Sequence, residues 1–233
     1  MRKGILAGGN FIIDHVKLIN HYPEQDMLAD IRSETSSNGG GPYNVLKDLS
    51  AMRVDYPLSA AGLVGKDANG DWILRDCRAA GIDTAQLRQT ERAPTSYTDA
   101  MTVMGTGRRT FFHQRGANAL LSEADFDFSS STARVFHLGY LMLLDEMDRL
   151  LPDGSTPAAR VLAKAREAGL ITTVDIVAGP VSSGMVSGTT AMLAPTAALA
   201  SASWTSSALA RASAGWALSM DSAEVSSSMP PPT

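Results

Sequence analysis

SSNGGGPYNVLKDL (residues 36–49) sets three consecutive glycines directly against the first turn of an amphipathic helix. Pro42 suits a first helical position, and Val45, Leu46, Leu49 and Met52 recur at the spacing of one helix face. A backbone stripped of side chains here implies that something approaches it closely. Two phosphate-binding loops fail to explain it. The dinucleotide fingerprint G-x-G-x-x-G follows a strand and needs an acidic residue about 20 positions later. GGGPYN lacks that spacing, and no clear strand precedes it. GLVGKD (62–67) resembles part of a P-loop, but too few residues separate its glycines, and Asp67 stands where Ser or Thr would bind magnesium. What remains is a glycine turn feeding a helix N-terminus whose free amides face a ligand, with Asn44 as donor and acceptor one turn in. The bland alternative is that the glycines only shape a tight connection and Asn44 faces solvent.

Outward from this turn, strands and helices alternate. KGILAGG (3–9) and PLSAAGLVG (57–65) read as buried strands. NGDWILRDCRAAG (69–81) is a helix, capped by Asp67 or Asn69 and closed by Gly81. RVFHLGYL (134–141), TPAARVLAKAREAG (156–169) and LITTVDIV (170–177) repeat the strand–helix–strand rhythm of a parallel sheet. Two regions break it. NFIIDHVKLI (10–19) with MLADIRSET (27–35), and TSYTDAMTV (95–103) with RRTFFHQR (108–115), read as hairpin-like strand pairs, the second turning at Gly105-Thr106-Gly107. They are expected to form a small separate sheet, a lid that excludes water when it closes.

Composition excludes several classes. The formal net charge is -4 and the 20 Lys+Arg residues are scattered, so nucleic acid is not an expected partner. No stretch approaches the ~18 uninterrupted apolar residues of a membrane span. The N-terminus reads as a first strand rather than a leader. The single cysteine, Cys77, can form no internal disulfide and reads as a small helix residue in a reducing cytoplasm. His15, His21, His113 and His137 are too far apart for a short metal-ligand motif. Asp145, Glu146 and Asp148 read as a solvated helix start. Arg109 could touch an anionic substrate, although charge on a two-stranded lid commonly serves solubility.

Six segments then carry a resemblance: GGNFIIDHV at the start, NGGGPYNV, AAGLVGKDANGDWILRDCRAAGIDT (60–84), APTSYTDAMTV (93–103), GRRTFFHQRGAN (107–118) and FHLGY (136–140). Their order and spacing resemble the ribokinase-like, PfkB-type carbohydrate kinases over residues 3 to about 178. The resemblance implies a three-layer α/β/α domain with a β lid and transfer of the ATP γ-phosphate, with Mg²⁺, to a sugar or nucleoside hydroxyl. It assigns substrate hydroxyls to Asp14, Gly40, Gly41 and Asn44, with Asn10 as a further candidate, and it implies a homodimer through the lid. An Asp accepting from two hydroxyls and an Asn that both donates and accepts suit a polyol, and holding it in line is much of phosphoryl transfer.

The sequence departs from the family pattern at four places. Leu46 stands where a small residue is usual, Arg53 stands where a Gly commonly ends the helix, and Val177 replaces the Asn of the family's Asp-x-Asn segment. Beyond it, neither the N-x-x-E segment nor the G-A-G-D turn that carries the catalytic base is found, so no catalytic residue is assigned. Of the 20 Lys+Arg and 24 Asp+Glu residues, only Arg211, Asp221 and Glu224 fall in 179–233, a Ser/Ala-rich segment ending SSSMPPPT. That composition reads as a disordered tail, or as out-of-frame translation past about residue 178 that truncates the fold on its C-terminal side. The expectation is thus an N-terminal kinase part (1–178), inactive as written. The alternative is a sugar-binding or regulatory pseudokinase that keeps the pocket without the chemistry.

Overall fold

The computed structural model describes residues 2–177. They run β1 (Ile5–Gly9), β2 (Ile12–Ile19), β3 (Ile31–Gly39), α1 (Gly41–Ala51), β4 (Leu58–Gly65), α2 (Ala68–Ala79) and β5 (Asp83–Thr90). Then come β6 (Tyr97–Val103), β7 (Arg109–Gln114), β8 (Val135–Leu141), α3 (Asp145–Asp148), α4 (Pro157–Glu167) and β9 (Ile171–Ile176). Residues 179–233, read above as a disordered tail or out-of-frame translation, lie outside the described residues.

Five strands form one wholly parallel sheet in the order β5-β4-β1-β8-β9. Its inner strands are apolar on both faces because both faces are covered. Leu6 enters a cluster with Leu63, Phe128, Phe136, Leu138, Met147 and Val161, on the side of α4. Its neighbour Ala7 points the other way, into a cluster with Phe11, Leu46, Ala60, Val64, Ile73 and Cys77, on the side of α1 and α2. The result is helix, sheet, helix, as expected. Leu46, an unusual residue for its place, is fully buried. Cys77 is a buried free thiol, and burial, with the charge of Asp76, pushes it up to about 12.

Local chemistry fixes the helix ends. Asp67, not Asn69, caps α2: its carboxylate accepts from the Gly70 amide at 2.8 Å, and Gly81 follows the helix with φ +72. Thr156 caps α4, accepting from the Ala159 amide at 3.2 Å, with Pro157 at the first position. Behind α1, Arg53 adopts φ +54.

A second sheet has the order β3-β2-β6-β7, with β2 and β6 parallel and the two outer pairs antiparallel. Only Asn10 and Phe11 separate β1 from β2, so this sheet springs from the C-terminal edge of the parallel one. Pleating divides it into two faces. Asp14 is aligned with Ser37, Thr98 and His113 across the four strands. The opposite face carries His15, Lys17, Glu34 and Asp99, with Lys17 ion-paired to Asp99 and, at 3.4 Å, to Glu34.

Two expectations need correction. A strand does precede the glycines, since β3 extends to Gly39. Its sequence, IRSETSSNG, has no apolar alternation because it is an exposed edge strand, held by its register with β2. β5, DTAQLRQT, has no reading in the sequence for the same reason: it is a polar edge strand that fully buries Leu87 alone. Asp148 is not a solvated acid. Its carboxylate accepts from the Leu144 amide at 2.8 Å and burial raises its pKa, whereas Asp145 and Glu146 are exposed.

Candidate functional site

Asn10, the first residue beyond β1, is fully buried where β1, β8 and the start of α1 converge. Its N–H donates to the Gly139 carbonyl at 2.8 Å, and its Oδ1 accepts from the Tyr140 amide at 2.8 Å. Its Nδ2 is buried with no partner among the described residues. Three glycines let α1 approach this point. Gly40 adopts φ +101, and a Cβ there would overlap the Asn10 carbonyl. A Cβ on Gly39 would overlap the Asp14 carboxylate, and one on Gly41 would sit 3.1 Å from Cε1 of Tyr140. Each of the three glycines therefore answers to a different neighbour, and all three neighbours belong to one site.

Asp14 projects from β2 and is partly buried; burial raises its carboxyl pKa, while His15 and Arg109 pull it down. Tyr140 closes the cluster from β8. Burial raises its hydroxyl pKa, the charges of Asp175 and Asp14 add to this, and the Asn44 side chain works the other way. Asn44 itself is exposed on the first turn of α1. The fold thus gathers Asn10, Asp14, Gly40, Gly41 and Asn44 around one helix N-terminus at the C-terminal edge of a parallel sheet, where open α/β folds hold ligands. Asn10 differs from the others in that its Oδ1 faces inward, toward the protein backbone.

Tyr140 and Asp175 are neighbours that sequence reasoning did not single out, and His137, weighed there only as a metal ligand, stands beside Gly139 with Asp175. His137 shares its Nδ1 with the Thr173 hydroxyl at 3.0 Å, and its Nε2 is buried without a partner among the described residues. Burial lowers its pKa, opposed by Asp175. Their signal was positional: FHLGY and TVD end adjacent parallel strands, β8 and β9, beside the glycine turn. Chemically the set offers a carboxylate that accepts, an amide that does both, a phenol and free helix amides, groups able to pair with hydroxyls. Among the described residues no group of three His, Cys, Asp or Glu side chains could hold a metal ion, and no helix is long and apolar enough to cross a membrane.

A parallel sheet, helices on both faces and a second sheet rising from its carboxyl edge over a glycine turn define a ribokinase-like fold. The chain belongs to the pfkB family of carbohydrate kinases, whose model matches residues 7–204. It is 29% identical over 171 residues to an ATP-dependent ribose-1-phosphate kinase of Halopiger xanaduensis, a match covering 73% of this chain and 53% of that protein. The chain thus spans about half the length of that relative. Among solved structures, ribokinase from Giardia lamblia superposes with TM-score 0.58 at 20% identity, covering 77% of this chain and 56% of the other. Fructokinase with bound ATP from Xylella fastidiosa gives 0.56 at 24% identity, covering 77% and 53%.

Proposed function

We propose that residues 2–177 hold the sugar or nucleoside of a kinase reaction, with Asp14 and Asn44 as the hydroxyl clamp, Gly40 and Gly41 presenting the first amides of α1, and Asn10 fixing the turn from behind. The observation that carries this reading is the convergence of the Asp14 carboxylate, Tyr140 and the α1 N-terminus on one point at the carboxyl edge of the sheet. A carboxylate and an amide set at fixed angles hold two neighbouring hydroxyls, and fixing them aligns the one to be phosphorylated. With one buried free cysteine, the chain has no disulfide to form, and the cytoplasm suits it.

Members of the family use ATP, and an ATP-bound fructokinase shares the fold. The side chains described here do not make up a triphosphate and magnesium site of their own: the cluster is acidic and phenolic, and no metal-ligating trio stands beside it. Without a base in a glycine turn to take the hydroxyl proton, the 233-residue chain is expected to bind the sugar and transfer phosphate very slowly, since losing one stabilising donor alone can cost about 10²–10³-fold.

Titration calorimetry with ribose, fructose and adenosine tests the clamp. One of these polyols is expected to bind, and Asp14→Ala or Asn44→Ala to weaken it about tenfold or more, because a hydrogen bond to a charged or bidentate group contributes ~1.5–3 kcal/mol. Unchanged affinity in both variants overturns the reading. A coupled assay with ATP and magnesium tests the second part: rapid turnover that vanishes in Asp14→Ala would mean that residues 178–233 supply the base.

A further inference from the structure

We propose that Arg109 reads an anionic group on the substrate, so that the ligand this site prefers is a sugar bearing a phosphate monoester or a carboxylate rather than a neutral sugar. This rests on the assignment of the Asp14 cluster as a sugar site, and it concerns what that sugar carries.

Placement comes first. In the second sheet Arg109 pairs with Thr102, beside Leu18, and Phe111 pairs with Ala100, beside Val16. His113 pairs with Thr98, beside Asp14. Arg109, Phe111, His113 and Asp14 therefore share one face of the pleat. The Arg109 guanidinium does not extend outward from the sheet tip. It lies over the Phe111 ring, 5.5 Å from its centroid, and so leans along the strand toward the row that contains Asp14. Charge on the two faces is arranged differently. On the opposite face Lys17 is neutralised by Asp99 and Glu34. Asp14 is the only carboxylate aligned on its own face, and Arg109 forms no ion pair among the described residues.

Other cations nearby are already engaged. The Arg115 guanidinium donates to Asp145 at 2.7 Å. His113 shares its Nδ1 with the Thr98 hydroxyl at 2.9 Å, and burial followed by the charge of Arg115 lowers its pKa, which keeps it neutral at physiological pH. Among the described residues Arg109 is thus the uncommitted cation on the Asp14 face; burial raises the Asp14 carboxyl pKa, and the charges of His15 and then Arg109 oppose this. A guanidinium held flat on an aromatic ring keeps its N–H edge available, and that edge matches the paired oxygens of a phosphate or carboxylate. A neutral sugar leaves this group without a partner.

The test compares ribose, ribose 1-phosphate and gluconate by titration calorimetry on the full chain, its Arg109→Gln variant and an Arg108→Gln control that removes the adjacent charge. The full chain is expected to bind one of the two anionic sugars at least tenfold more tightly than ribose. Arg109→Gln should abolish that preference while leaving ribose affinity within twofold, and Arg108→Gln should keep it. Which anion is preferred distinguishes a phosphate from a carboxylate. Ribose binding with no preference for either anion overturns the proposal and leaves the clamp standing. A preference that survives Arg109→Gln also overturns it, and binding of none of the three overturns both readings together.

Discussion

The Tyr140 amide donates to Oδ1 of Asn10 at 2.8 Å, joining positions 130 residues apart in the chain. This bond ties the carboxyl ends of β1 and β8 together beneath the glycine turn. Asn10→Ala leaves a part-buried amide without this partner and is expected to cost about 1–3 kcal/mol of stability, measured by urea denaturation. If Asn10 instead touched only substrate, stability would be unchanged and sugar affinity alone would fall.

Arg53 adopts φ +54 at the end of α1, in the left-handed region that costs a non-glycine residue roughly 1 kcal/mol. Its amide donates to the Ser50 carbonyl at 2.9 Å, a backbone bond that any residue can keep. Arg53→Gly should therefore raise stability by about 0.5–1 kcal/mol, and a lower urea midpoint would contradict it. Gly40→Ala should do the reverse and more, because φ +101 and an overlap with the Asn10 carbonyl combine there.

Asp67 gives a pH-dependent contribution. Burial opposes its ionisation, but the Thr95 hydroxyl and amide, and the Gly70 amide, outweigh this and hold the carboxyl below its ordinary 3.8. Since the unfolded chain takes up the proton more readily, the stabilisation is present above about pH 3.8 and is lost as pH falls through the lower folded value. Asp67→Ala should cost about 2 kcal/mol at neutral pH through the lost cap and the orphaned Thr95 amide. The gap from the parent should narrow in urea titrations at about pH 3, and a constant gap would refute the linkage.

The second sheet exposes Phe112 (51%) and Ile31 (52%) together with two open strand edges. Such surfaces pair with copies of themselves. Sedimentation of the full chain is expected to give a dimer, and Phe112→Glu, which lies on the face away from Asp14, a monomer. A monomeric parent would remove the lid as an interface.

What the sequence determined by itself was carried by short-range rules. Apolar runs closed by glycines marked β1 and β4, the strand–helix–strand rhythm marked β8 and β9, and Pro157 with Gly169 bracketed α4, because apolar runs and end-capping leave local signatures. Asp14, Asn44 and the glycine turn stood out through an ordered set of motifs. Two edge strands left no such mark: β5 and the 36–39 end of β3 are polar, and only pairing with β4 and β2 makes them strands. Tertiary structure alone decided what the glycines are for. Gly39, Gly40 and Gly41 adjoin Asp14, Asn10 and Tyr140, three residues from three different strands or their ends, and no local rule predicts which atoms will converge there. It likewise turned Asn10 inward and laid Arg109 along the Asp14 face, since the direction of a side chain follows from strand register, and register is a contact between distant parts of the chain.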